Sequence, residues 1–147
     1  MKIELILPIK TVSEANISEH WTKASKRHRQ QQQIVRLAFI THKTHISLPC
    51  CVKMTRLAPN YLDEDDNLRM ALKWVKDEVS ECISDMPKSF YFQKGKLRQL
   101  KGRHDDDKRI KWEYAQEKSN IRRVKIEITF EDDKCCAQES QDETLNP

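Results

Sequence analysis

The segment Asn67-Leu-Arg-Met-Ala-Leu-Lys-Trp-Val-Lys-Asp-Glu-Val-Ser-Glu-Cys-Ile83 decides the fold, because its apolar residues recur at steps of three and four positions. Leu68, Leu72, Val75 and Val79 therefore fall on one face of a predicted helix. That face is expected to pack on a hydrophobic core.

On both sides of this helix, shorter segments alternate apolar and polar residues, which is the period of a β-strand. The predicted strands cover Lys2–Leu7, Ile46–Leu57, the segment around Ile110, Trp112 and Tyr114, and the segment 124–130. The last two are expected to form an antiparallel hairpin, because the polar residues 116–120 lie between them.

A second helix is predicted from about Glu19 to His42, with Ser18 as its N-cap. Its apolar stripe consists of Ile34, Leu37, Ala38 and Ile40. The order of elements is then strand, helix, strand, helix, strand, strand. This order predicts an α+β fold in which two helices pack on a small mixed or antiparallel sheet of about four strands.

The chain has 147 residues, the size of one domain that can bury a core without disulfides or metals. The predicted domain covers 1–130 and includes a long basic connection, 84–104, while 131–147 is expected to be a disordered acidic tail.

The composition excludes several classes of protein. The chain has only two glycines and therefore no glycine-rich phosphate loop, which excludes P-loop and dinucleotide-binding functions. Five cysteines without a disulfide pattern indicate reduced thiols in a cytosol, and no apolar run reaches the roughly 20 residues of a membrane span.

The net charge of +4 hides an uneven distribution of charges. The tail 131–147 carries a net charge of −5, so the body 1–130 carries +9, and no acidic residue occurs from His20 to Leu62. A basic body favours a polyanionic partner such as nucleic acid, and the alternative is an ordinary solvated surface. The candidate DNA contacts are Lys23, Lys26, Arg27, Arg29, Arg56, Arg69, Lys94, Lys96, Arg98, Lys101 and Arg103.

Two acidic clusters, Asp63–Asp66 and Asp105–Asp107, interrupt the basic body. Four consecutive acids exceed what the capping of a helix needs, although capping by Asp66 and a plain polar loop at 105–107 are the alternative interpretation. If the clusters converge, they need a cation, and hard oxygen ligands suit Mg²⁺. A Mg²⁺ site in a basic surface is typical of phosphodiester hydrolysis.

An EF-hand calcium site is excluded by its spacing, and a zinc site is only weakly indicated. An EF-hand loop starting at Asp63 would place Leu68 where glycine is needed and Trp74 where the bidentate glutamate is needed. His42 and His45 have a zinc-finger spacing, but no cysteine pair completes the site.

The run from Thr55 to Asp77, T-R-L-A-P-N-Y-L-D-E-D-D-N-L-R-M-A-L-K-W-V-K-D, resembles the core of the RusA family of Holliday junction resolvases, in its phage and prophage branch. The run from Asp105 to Lys118, D-D-D-K-R-I-K-W-E-Y-A-Q-E-K, resembles the second acidic motif of that family. The N-terminal strand that ends in Leu7-Pro8, followed by Asn16 and His20-Trp21, is also similar. The resemblance covers most of 2–130.

The resemblance implies a RusA-like, homodimeric α+β endodeoxyribonuclease that cuts four-way DNA junctions in recombination and repair. It implies Mg²⁺ as cofactor, with Mn²⁺ as a substitute, and neither a small-molecule cofactor nor a membrane. It places the protein in the cytoplasm of a bacterium or a phage-infected host. The residues carried over as catalytic are Asp66, Asp107, Glu64 and Lys73, and those carried over as metal ligands are Asp66, Asp107, Glu64, Asp63 and Asp105.

The chain departs from the family pattern in the basic connection 84–104, where the family has a short turn. Its charges and the aromatic residues Phe90, Tyr91 and Phe92 predict either a DNA contact or a loop without a role. The alternative function is a nucleic-acid-binding module without catalysis. A third hypothesis is an interaction protein whose acidic tail folds back on its basic face.

Overall fold

The α+β class is confirmed by a computed structural model, which describes residues 1–13, 18–42, 45–63, 66–84, 90–99 and 107–131. A four-stranded mixed sheet packs with two helices, and a separate two-stranded sheet follows α2. In chain order the elements are β1 (Lys2–Leu7), α1 (Trp21–His42), β2 (Cys50–Ala58), α2 (Asn67–Ile83), β3 (Phe90–Gln93), β4 (Lys96–Gln99), β5 (Ile110–Lys118) and β6 (Arg123–Phe130).

The main sheet has the strand order β1-β6-β2-β5. The strand β5 pairs with β2 in parallel, from Cys50 opposite Ile110 to Ala58 opposite Lys118, while β6 is antiparallel to both β1 and β2. The predicted antiparallel hairpin of β5 and β6 is therefore wrong. The helix α2 returns the chain to the edge of β2 in the direction of β2, and β6 then crosses to the other side of β2, so β2 separates the two strands.

The apolar face predicted for α2 is confirmed. Leu68, Leu72, Val75 and Val79 are at most 2% exposed and belong to one core with the inward residues of the sheet. Burial of each such side chain stabilises the fold by about 1.5–3 kcal/mol. This packing fixes α2 across β2 and β5 and so fixes both ends of the helix relative to the sheet.

The helix α1 differs from its prediction at its start. It begins at Trp21, and His20 rather than Ser18 caps it: the Thr22 amide donates to His20 Nδ1 at 3.3 Å, and the Lys23 amide donates to the His20 carbonyl at 3.0 Å. The predicted stripe is also only partly inward, because Leu37 is 65% exposed.

The basic connection 84–104 contains a hairpin that the sequence did not predict. β3 and β4 pair antiparallel around a turn at Lys94 and Gly95, which both have positive φ, 51° and 72°. Two central residues with positive φ make the type of turn that matches the twist of a hairpin, and glycine adopts that conformation without strain. Residues 85–89, 100–106 and the acidic tail from 132 lie outside the described residues.

The described segments contain no helix that combines the length and the apolar character needed to cross a bilayer.

Candidate active site

The acidic loop, residues 63–66, lies between β2 and α2, and the residue before it, Leu62, is held by the side chain of Gln116 on β5. The Gln116 carboxamide accepts from the Leu62 amide and donates to the Leu62 carbonyl, both at 2.8 Å. The loop is also closed on the helix, since the Leu68 amide donates to the Asp63 carbonyl at 3.0 Å. Gln116 lies in the second acidic motif, 105–118, but the sequence did not predict it as a site residue. A carboxamide that pairs with both backbone groups of one residue is the signal that could have identified it.

Two further contacts join β5 to α2. The guanidinium of Arg69 lies 5.5 Å from the centre of the Tyr114 ring, and the ammonium of Lys76 lies 5.2 Å from the Trp112 ring. Residues 112, 114 and 116 alternate along β5, so they share one face of the sheet. Trp112 and Tyr114 of β5 therefore contact α2, while Gln116 contacts Leu62 ahead of the acidic loop.

Asp66 lies at the N-cap position of α2 but does not cap the helix through its side chain. Its φ and ψ are −106° and −45°, and its carboxylate makes no capping hydrogen bond within the described part of the chain. The side chain is exposed next to a helix N-terminus, where the partial positive charge of the backbone stabilises an anion. The alternative interpretation, in which the Asp66 carboxylate caps the helix, is therefore wrong. Glu64 and Asp65 lie outside the described residues.

The N-terminal segment contacts the same end of α2. The hydroxyl of Ser13 donates to Oδ1 of Asn67 at 3.2 Å. The residue after Asp66 is thus tied to the chain that follows β1, and the acidic loop is bordered by protein on two sides.

Asp107 lies at the other end of α2. Its Oδ2 accepts from the hydroxyl of Ser84, the C-cap residue of α2, at 2.9 Å. The 17 residues of α2 separate Ser84 from Asp66, a length of about 25 Å. The predicted convergence of the two acidic clusters therefore does not occur between Asp66 and Asp107 of one chain. The parallel pairing of β2 and β5 explains the separation, because Asp107 precedes β5 while the acidic loop follows β2.

The oxygens of Asp107 are fully engaged. Oδ1 accepts from the amide of Arg109 at 3.1 Å and from its Nε at 3.0 Å, and Oδ2 accepts from its Nη2 at 2.8 Å as well as from Ser84. The side chain is 4% exposed. These hydrogen bonds, those from Arg109 first, hold the pKa of Asp107 well below its ordinary value of 3.8. A buried carboxylate with four donors does not fit a metal ligand, and Asp105, which was predicted beside it, lies outside the described residues.

Lys73 is exposed on α2, two helical turns after Asp66. Its ammonium lies 4.9 Å from the centre of the Trp74 ring, and the other neighbour of that ring is His28 of α1, stacked at 3.9 Å. The phosphate contact of Lys73 stays a prediction.

The two helices run in the same direction, because His28 stacks on Trp74 and, further along both helices, Arg36 pairs with Glu78 at 2.8 Å. The N-terminal turns of α1 and α2 therefore lie at the same end of the molecule as the acidic loop. Lys23, Lys26 and Arg29 are exposed on α1, and Arg27 forms an ion pair with Glu19 at 2.5 Å. The predicted basic helix thus presents lysines at the end that carries Asp66.

The other predicted DNA contacts have different surroundings. Lys94, Lys96 and Arg98 are exposed on the β3–β4 hairpin, and Lys101 and Arg103 lie outside the described residues. Arg56 is only 5% exposed, and its guanidinium donates to Thr11 Oγ1 at 2.9 Å and to the Asn60 carbonyl at 2.6 Å. Arg56 is buried because β2 is an inner strand, and its contact with DNA stays a prediction.

Among the described residues, no three His, Cys, Asp or Glu side chains are placed to hold a metal ion together. No protein-family model matches the chain, and no curated protein matches it either.

Proposed function

We propose that the protein is a Mg²⁺-dependent endodeoxyribonuclease that resolves four-way DNA junctions in recombination and repair. The observation that supports the proposal is the contact between the two motifs behind the family resemblance: Gln116 of the strand motif fastens the acidic loop through Leu62. Two segments far apart in sequence are thereby joined around exposed carboxylates. This arrangement is what a hydrolytic site needs in order to hold charged ligands in a fixed position.

The described residues that fit a Mg²⁺ ion are Asp66 and Asp63. Both are exposed acids beside a helix N-terminus, and carboxylate oxygens with room for water suit this ion. Glu64 is the third ligand implied by the resemblance. The Mg²⁺ that these residues would hold, or Mn²⁺ in its place, would supply a nucleophilic hydroxide and would neutralise charge on the scissile phosphate. We leave Asp107 out of this site, because Arg109 and Ser84 saturate its carboxylate at the far end of α2.

The DNA backbone approaches from the end where the helix N-termini and the exposed lysines of α1 lie. Lys23 and Lys26 on α1 and Arg69 on α2 would neutralise phosphates on either side of the acidic loop. Lys73 would approach the scissile phosphate from α2. The hairpin cations Lys94, Lys96 and Arg98 would bind the backbone further away.

A junction has two strands to cut, and a homodimer presents two sites at a fixed distance. The proposed protein is therefore a homodimer that acts on branched DNA in the cytoplasm of a bacterium or an infected host.

The decisive experiment compares a synthetic four-way junction with a linear duplex of the same sequence, each with and without Mg²⁺. We expect paired symmetric nicks on the junction that depend on the metal. Equal cutting of the duplex would contradict junction selectivity. Absence of cutting under all conditions would contradict the proposal that the protein is an endonuclease.

A second candidate function is a nucleic-acid-binding module without catalysis. The separation of Asp66 from Asp107 favours it, because one chain then brings fewer carboxylates to the acidic loop. This candidate predicts binding with a steep dependence on salt and no Mg²⁺-dependent cleavage.

A further inference from the structure

The guanidinium of Arg56 is a buried charge without an acidic partner. Its two hydrogen bonds go to a hydroxyl and a backbone carbonyl, and no carboxylate of the described chain pairs with it. Burial of a charge is costly unless an opposite charge compensates it. Arginine stays protonated in proteins, so an anion bound beside Arg56 would compensate its charge.

Two more cations lie around the same position. Arg56 lines a cavity of about 340 Å³ with Lys10 and Arg122, at the small end of the range for ligand sites. We name it the Arg56 pocket, and its remaining described lining consists of Thr11, Val12, Ser13, Asn60 and Leu62. None of these residues is acidic. Burial lowers the pKa of Arg56, and the nearby charge of Arg122 lowers it further.

Neutral donors complete the lining. Thr11 is 6% exposed and accepts from Arg56 with its hydroxyl oxygen, so its own proton is left to donate. Arg56 uses two of the five N–H groups of its guanidinium in these bonds, and the rest are left for a ligand. Three cations and a hydroxyl around one small cavity are suited to an anion with several acceptor oxygens.

The Arg56 pocket borders the acidic loop. Leu62 lines the pocket and directly precedes Asp63, and Ser13 lines it and binds Asn67, which directly follows Asp66. A phosphate in the pocket would therefore lie beside the carboxylates and not among them.

We propose that the Arg56 pocket is a phosphate-binding subsite that holds one phosphate of the DNA backbone beside the acidic loop. The identity of the ligand as DNA rests on the proposed function, while the anion site rests on the pocket itself. A bound phosphate compensates the buried guanidinium and fixes the position of the strand relative to Asp66.

The test uses Arg122→Gln, because Arg122 is exposed and its replacement leaves the buried Arg56 in place. Arg123→Gln is the matched control, since Arg123 is the next residue, is equally exposed and does not line the pocket. Junction binding is measured without Mg²⁺, so that no strand is cut. A series of junctions carries one neutral methylphosphonate in place of each phosphate near the branch.

We expect one methylphosphonate position to weaken binding of the wild-type protein and of Arg123→Gln by about tenfold, the effect of one charge-assisted contact. At that position Arg122→Gln should lose part of this sensitivity, because Arg56 and Lys10 remain in the pocket. A variant Arg122→Gln that keeps the full sensitivity at every position would overturn the subsite. Because no cleavage is measured, this result is independent of whether the protein is an enzyme.

A second measurement separates DNA from free phosphate as the source of the anion. Inorganic phosphate is titrated into the full-length protein during thermal unfolding, with chloride at equal ionic strength as control. A rise in Tm that Arg122→Gln reduces, together with the methylphosphonate effect, supports the proposal. The same rise without any methylphosphonate effect would assign the pocket to a free phosphate and overturn its role in DNA binding.

Discussion

At the scale of single residues, the two aspartates that the resemblance carries over as catalytic have opposite surroundings. Asp66 is exposed at the start of α2 without a capping bond, and Asp107 is buried at the end of α2 under four hydrogen bonds. The sequence does not distinguish the two, because each lies in a run of consecutive acidic residues. Burial and hydrogen bonding give them different chemistry, so they are expected to respond differently to the same substitution.

Replacement of Asp66 by Asn is expected to lower junction cleavage by about 100-fold or more, since it removes a proposed metal ligand. Junction binding should persist or become tighter, because one negative charge is removed from a surface that meets phosphates. Gel assays of cleavage and binding on the same junction measure both effects. Glu4→Gln removes an exposed acid on β1 and is the control. Full cleavage by Asp66→Asn would contradict the metal site at the acidic loop.

Replacement of Asp107 by Asn is expected to destabilise the fold, because Arg109 and Ser84 lose a charged acceptor. The free energy of unfolding in urea should fall by about 2 kcal/mol at pH 7. Cleavage per folded molecule should be retained. A variant Asp107→Asn with unchanged stability and no cleavage would return Asp107 to the catalytic site, where it could act only after a rearrangement or from another chain.

The pH dependence of this stability follows from the lowered pKa of Asp107. The folded state favours the carboxylate, so its stabilisation is complete above the unfolded pKa of about 3.8 and is lost as the pH falls below about 4. The difference in unfolding free energy between the wild-type protein and Asp107→Asn should therefore shrink as the pH is lowered from about 5 to about 2. A difference that stays constant over this range would show that the carboxylate charge is not what stabilises the fold.

At the scale of elements, the unit β2-α2-β5 carries the candidate site. The parallel pairing of β2 and β5 places the acidic loop and Gln116 at one edge of the sheet and Asp107 at the opposite edge. The acidic loop follows the carboxyl end of β2, so it lies at the same edge as the carboxyl end of β5.

Replacement of Gln116 by Ala removes both hydrogen bonds to Leu62 and should loosen the acidic loop. We expect cleavage to fall about tenfold, because misplacement of the reacting groups is costly, while junction binding without Mg²⁺ changes little. The matched control is Glu113→Ala, an exposed residue of the same strand. Equal effects of the two substitutions on cleavage would show that the Gln116 contact does not position the site.

The elements that the sequence predicted well are those with strong local periodicity. The bounds of β1 and α2 agree with the prediction, because each has one buried face that its pattern reveals. The pairing of β5 with β2 could not be predicted, because a hairpin and a crossover leave the same alternation within each strand. The β3–β4 hairpin was missed since its described side chains are exposed and carry no pattern of burial.

The candidate site was predictable to a similar degree. The sequence identified the acidic loop through its charges and the exposed lysines of α1 through their composition. It could not identify the Arg56 pocket, because Lys10, Arg56 and Arg122 are brought together only by the adjacent ends of three segments of the chain. Burial of one basic residue among exposed ones cannot be read from charge alone.

At the scale of the whole molecule, the charge distribution predicts how the acidic tail would affect the proposed binding of DNA. The body 1–130 has a net charge of +9, and the tail 131–147 has a net charge of −5, so the two attract each other. If the tail folds back on the basic face, its deletion should tighten DNA binding, and the gain should be largest at low salt. Fluorescence anisotropy with a labelled junction at several salt concentrations measures this. An unchanged affinity after deletion would contradict the autoinhibitory hypothesis.

The proposed homodimer makes a prediction about the products of cleavage. A supercoiled plasmid that extrudes a cruciform is linearised only if both strands of the junction are cut within the lifetime of one complex, which two active sites in one dimer allow. When the wild-type protein is mixed and refolded with an excess of Asp66→Asn, most wild-type chains pair with an inactive partner. Such mixed dimers retain one complete acidic loop each and should produce nicked circles in place of linear DNA.

Independent monomers predict a different result. The excess of Asp66→Asn would compete for junctions and slow all cleavage, but the ratio of products at a given extent of cutting would stay that of the wild-type protein. The ratio of nicked to linear plasmid at equal substrate consumption therefore distinguishes a dimer with paired sites from a monomer, and a ratio that does not rise with Asp66→Asn would contradict the dimer.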